Sequence, residues 1–135
     1  VCLRYVGNAE EAEDILQDPQ FAGAAEKRGL SSEEVKRILK MGGIIGLGIS
    51  RPFFQGINRI VERIDKICQI DNGPQSLGLG TDFGGVPPTW TIGIEKPEDI
   101  VKIADLLSEK YGYSDTLIGN ILKRNITNWL ENRSK

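Results

Sequence analysis

The chain has 135 residues, enough for one domain of ordinary size. Hydrophobic residues make up 39% and charged residues 27%, a mix that excludes a disordered or fibrous protein. A net charge of -2, from 17 basic and 19 acidic side chains, gives no field to attract nucleic acid or an anionic membrane. No apolar run approaches the ~20 residues that span a bilayer.

In chain order, Asn8 and Glu11 form a capping box before a short helix to about Gln17. A loop over 18–29 comes next. Ser31 and Glu34 open a clearer helix, with Val35, Ile38 and Leu39 on one face and Gly42-Gly43 as its stop. The segment 43–50 is short, apolar on both faces and β-branched, as expected of a strand buried on both sides. Within 51–71, Ile57, Ile60, Val61, Ile64, Ile67 and Cys68 keep a 3.6-residue period. A second buried strand is read at 76–83, then a Pro/Gly-rich loop over 84–93, long enough to suggest function. Pro97 starts the next helix, with Glu98 and Asp99 near its positive end and Gly112 at its close. Ser114 caps the last helix, whose apolar face is read as Leu117, Ile118, Ile121, Leu122, Ile126, Trp129 and Leu130.

The order is helix, helix, strand, helix, strand, loop, helix, helix, an α/β pattern with two parallel strands. Two such strands cannot cover each other's edges, so residues 1–135 read as a single partial domain. The Val1 start agrees with a piece of something longer. Cys2 and Cys68 make no CxxC pattern, and Cys68 lies on an apolar helix face. A buried free thiol and a cytoplasmic location are therefore expected. No signal peptide opens the chain. In that compartment the sequons at Asn125 and Asn132 carry no meaning.

The stretch 76–85, SLGLGTDFGG, carries the chemistry. Asp82 ends a predicted strand. A carboxylate there can bind a metal, take a proton from water, or hold an amine; the simpler alternative is an Asp that caps the following turn. Gly84-Gly85 lets backbone approach a ligand closely. Asp82-Phe83-Gly84 spells the kinase triplet, but no HRD segment precedes it. GLGTDF lacks the third glycine of the dinucleotide fingerprint, and no Walker lysine is present. With no histidine, Ser/His and Cys/His machinery is excluded.

GLGTDFGGVP resembles the last-strand motif of the renal (membrane) dipeptidase family, whose usual form ends in Asp-Phe-Asp-Gly. RGLSSEEVKRILKMGGIIGLGI is similar to that family's Arg-Asn-Leu, helix, Gly-Gly and penultimate strand. ILKRNITNWLENR resembles its closing helix. The resemblance covers roughly Arg28 to Asn132 and implies the C-terminal portion of a (β/α)8 TIM barrel, helix-rich and incomplete as a single chain. The family's members are zinc hydrolases of the amidohydrolase type that cleave dipeptides. In them a metal-bound water attacks the peptide carbonyl. Asp82 matches the last-strand aspartate that assists proton transfer from the bridging water. Arg28 matches the arginine that holds the substrate carboxylate, although Gly29 stands where Asn is usual; the alternative is a solvated residue before a helix cap.

Gly84 replaces the second Asp of the motif. The family's zinc ligands are histidines and acids of earlier strands, so zinc belongs to the full-length family and no metal ligand is assigned on this chain. Two readings result. In one, the chain is the C-terminal part of a dipeptidase, inactive alone for want of ligands. In the other, it is a non-catalytic α/β module that forms a homo-oligomer through exposed barrel edges.

Overall fold

The computed structural model describes residues 5–6, 29–49, 56–81, 83–85 and 93–133. The helix expected at 8–17 lies outside the described residues, as do Cys2, Arg28 and Asp82.

Two very short strands that the sequence reading did not contain, β1 (Tyr5–Val6) and β2 (Gly29–Leu30), pair in parallel. At two residues each they have no periodicity for a sequence reading to detect. Helix α1 (Ser32–Lys40) starts where expected. Ser31 Oγ accepts the Glu34 N–H at 3.2 Å, and Glu34 Oε2 accepts the Ser31 N–H at 2.7 Å. Val35 and Leu39 are buried, and Ile38 packs against the same core. The helix ends as Gly43 donates to Ile38 O at 2.9 Å, with Gly42 in the left-handed region at φ +71°.

Strand β3 (Ile45–Gly48) begins almost at once, and its first three residues are buried. Helix α2 (Ile57–Cys68) then carries the chain back, which is what parallel pairing requires. Strand β4 (Leu77–Gly80) lies beside β3 with Ile45 opposite Leu77 and Gly48 opposite Gly80. Strand β1 also lies close to β3. Ile60, Val61, Ile64 and Ile67 of α2 are all buried, as their spacing predicts. Cys68 is a free thiol but only half buried, because it closes the helix at its rim.

Helix α3 (Val101–Tyr111) is reached through a 3-10 turn, Pro97–Ile100. It ends at Gly112, φ +67°, whose N–H donates to Ser108 O at 3.0 Å while Tyr113 N–H donates to Leu107 O at 3.1 Å. The single helix expected at the C-terminus is divided: α4 (Asp115–Gly119), a π turn (Asn120–Arg124), then α5 (Asn125–Arg133). The π turn gathers Ile121, Asn125 and Ile126 against β4. A side chain on Gly78 would run into Ile126, and Ile121 O lies 3.9 Å from the same point. Leu130, expected on the apolar face, is 45% exposed. One core joins the sheet to α1, α2, α3 and the C-terminal helices through Leu39, Leu47, Ile64, Leu77, Leu107 and Ile121. No helix among the described residues is long and apolar enough to cross a membrane.

Candidate functional site at the strand ends

The N-terminal ends of β3 and β4 are tied down by polar contacts. Ile45 N–H donates to Ser76 O at 2.7 Å. Asn72, at φ 68°, donates from Nδ2 to Leu39 O at 3.3 Å and so joins the loop after α2 to the end of α1. Asn125 Nδ2 donates to Pro74 O at 2.6 Å and Leu77 O at 2.9 Å. Gly73 is buried so closely against Ile67 O that no Cβ fits. These contacts belong to stability: they fix the strands at the end remote from Asp82 in sequence.

The C-terminal ends carry the candidate chemistry. Gly48 and Gly80 face each other there, and Thr81 comes after β4, half-buried. Asp82 itself lies outside the described residues. Its flanks do not: Phe83 packs against the hydrophobic core, and Gly84 turns the chain at φ +84° with nothing within 4 Å of a would-be Cβ. The position where the dipeptidase motif has its second Asp is therefore a left-handed turn here, a conformation glycine adopts without penalty.

The chain returns at Gly93, φ +87°, whose carbonyl accepts from Lys102 Nζ at 2.7 Å. Asp99 Oδ2 accepts the N–H groups of Glu95 at 3.0 Å and Lys96 at 3.3 Å, and Lys102 Nζ is 3.4 Å from Asp99 Oδ1. The Glu95 N–H, aided by Lys102 and the Lys96 N–H and opposed by desolvation, holds the Asp99 carboxyl below the usual carboxylate range. This clamp anchors the far side of the segment that begins at Asp82. Arg28 likewise lies outside the described residues, next to β2; Leu30 is buried and Ser31 is fixed by its capping box.

A second polar cluster, which no local pattern of residues foretells, joins α2 to the end of α3. Tyr113 Oη donates to Asp65 Oδ1 at 2.7 Å and bonds with the Cys68 thiol. Burial, then Asp65 and Cys68, push the phenol well above its ordinary range. Burial likewise raises the Cys68 thiol, against the Tyr113 hydrogen bond, so the thiol is protonated and poorly nucleophilic at neutral pH. Among the described residues no three His, Cys, Asp or Glu side chains come together to hold a metal. The sequence has no histidine, and the described residues gather no ligand set that fits a zinc centre.

Parallel strands joined by helices put the described residues in the α/β fold class. The fold matches that of "dipeptidase AC", a metallopeptidase of family M19, with a TM-score of 0.66 at 21% identity, over 77% of this chain and 32% of that one. It matches a metallopeptidase from Rhodobacter sphaeroides, liganded with a phosphinate mimic of the dipeptide L-Ala-D-Ala, with the same TM-score and identity, over 77% of this chain and 31% of that one. The chain thus spans under a third of the length of these structures. No individual curated protein matches it. The family model for membrane dipeptidase, peptidase family M19, matches residues 19–133, and the chain belongs to that family.

Proposed function

We propose that this chain is the C-terminal part of a zinc-dependent dipeptidase on a (β/α)8 barrel, and that alone it is inactive. The observation that carries this reading is the family match over 19–133, which spans both the parallel strand pair and position 82. In the complete enzyme the Asp82 carboxylate takes a proton from the attacking water and returns it to the leaving amine. The Arg28 guanidinium holds the carboxylate of the dipeptide. The zinc ligands come from parts of the family's sequence that have no counterpart here, so no step through the metal is assigned to this chain.

The Rhodobacter sphaeroides complex makes L-Ala-D-Ala the first substrate to test. Elemental analysis of the purified chain is expected to find less than one zinc per molecule, and the dipeptide assay to find no turnover with or without added zinc. Turnover that rises with bound zinc would overturn the reading of inactivity. In a chain completed by the missing ligands, Asp82→Asn is expected to lower kcat by roughly 10²–10⁴-fold. Its zinc content should not change.

A second reading rests on a different observation: among the described residues no strand pairs with the outer side of β4. We propose that the chain self-associates there as a homo-oligomer, and the free Cys68 thiol supports a cytoplasmic setting for it. Light scattering at high concentration is expected to detect more than a monomer.

A further inference from the structure

Of the asparagines in the sequence, only Asn72 is followed by glycine. An Asn-Gly pair is the step most prone to deamidation, because glycine has no side chain to shield its nitrogen. In that reaction Gly73 N attacks Asn72 Cγ and forms the N–Cγ bond. The Cγ–Nδ2 bond breaks, and Nδ2 leaves as ammonia with the proton that Gly73 N gives up. Water then opens the succinimide at one of its two carbonyls, giving aspartate or isoaspartate. Asn72 is exposed, so water reaches it. The turn nevertheless opposes ring closure. A tetrahedral Cα sets Cβ about 120° from the backbone N around the Cα–C bond, and closure needs Gly73 N eclipsed with Cβ. At φ 68° and ψ -1°, Gly73 N eclipses Asn72 N instead. The peptide plane must turn by about 120° before the ring can form. Two hydrogen bonds resist that rotation: Gly73 N–H donates to Ile70 O at 2.9 Å, and Asn72 Nδ2 donates to Leu39 O at 3.3 Å.

We infer that Asn72-Gly73 is a deamidation site held shut by the fold, which reacts only when the loop after α2 opens and whose product does not regain the native packing. Leu39 O stands at the C-terminal end of α1, the negative end of its dipole. Asn72 Nδ2 brings a donor to that carbonyl. A carboxylate at position 72 brings a charge of the same sign and no donor. Isoaspartate adds one methylene to the main chain just before Gly73, where the backbone is packed against Ile67 O too closely for a Cβ. The damage reaches the sheet. Gly73 O accepts the Ser76 N–H at 3.1 Å, and Ser76 O accepts the Ile45 N–H that starts the pairing of β3 with β4. Deamidation thus converts a reversible opening of the loop into a permanent one.

The test is ageing of the full chain in neutral buffer and, in parallel, in guanidinium chloride. Trypsin then releases residues 67–102, in which Asn72 is the only asparagine, and mass spectrometry scores its conversion. Conversion is expected to be at least about tenfold slower in buffer than in denaturant. Equal rates overturn the guard, and no conversion in denaturant overturns the site. The fate of the product is read from two variants in urea at neutral pH, where a carboxylate is ionised. Asn72→Asp carries the charge, while Asn72→Gly keeps the left-handed turn and drops the side chain. The Asn72→Asp midpoint is expected below those of both the wild type and Asn72→Gly. A midpoint at or above that of Asn72→Gly overturns the exclusion of the product. An Asn72→Asp chain that fails to fold beside a folded Asn72→Gly supports it. The ageing comparison uses the wild-type chain and depends on neither variant.

Discussion

Gly84 marks the departure from Asp-Phe-Asp-Gly, and its backbone shows what the exchange costs. At φ +84° the cost of a side chain is conformational only, since nothing lies within 4 Å of its Cβ. Restoring the acid by Gly84→Asp is expected to lower the unfolding free energy by about 1 kcal/mol in urea titrations. Gly73 is the opposite case. Its backbone is packed against Ile67 O, where a methyl group has no room and a carbonyl cannot move aside without unwinding the end of α2. Gly73→Ala is expected to cost about 3 kcal/mol or to prevent folding, read by the same titration. A Gly73→Ala loss no larger than that of Gly84→Asp would show that the loop relaxes freely.

Among the elements, α1 and α2 were legible because burial on one face forces a 3.6-residue repeat, and Val35, Leu39, Ile60 and Ile64 keep it. The capping box was legible because its partners are three residues apart. Ser31→Ala removes it and is expected to cost about 1 kcal/mol. Strands β3 and β4 were legible as two-sided apolar runs. The π turn was not: Leu117, Ile118, Ile121, Leu122 and Ile126 fit an ordinary helix, and only β4 and the turn before it, brought close by the fold, supply the carbonyls that hold Asn125 inside. The Tyr113–Asp65 bond joins positions 48 apart and leaves no local signal. Tyr113→Phe breaks it and is expected to cost about 1 kcal/mol. At the candidate site, residue type and a place in sequence after a strand make Asp82 a candidate, and its own position lies outside the described residues. No partner was, because the dipeptidase resemblance assigns the metal ligands to strands earlier than any in this sequence.

For the whole molecule, charges of opposite sign nearly cancel and no histidine is present, so no side chain of ordinary pKa titrates between about pH 5 and 8. The pH dependence of stability then falls on the perturbed groups. Asp99 is held below its ordinary 3.8, chiefly by the Glu95 N–H. Glu62 is held below 4.5: burial works against it, but Lys66 and Arg59 prevail. For both, folding favours the ionised form, so their contribution is present above those ordinary values and is lost as pH falls through the lower folded ones. Cys68 and Tyr113 are raised above 9.0 and 10.0, both first by burial. Folding favours their neutral forms, so that contribution is complete below those values and is lost as pH rises through the higher folded ones. The urea midpoint is therefore expected to be flat between about pH 5 and 8 and to fall on both sides. Asp99→Asn should soften the acid limb alone. Tyr113→Phe should soften the alkaline limb without abolishing it, because Cys68 remains and loses the hydrogen bond that had lowered its pKa. An alkaline limb untouched by Tyr113→Phe would move its origin away from the α2–α3 cluster.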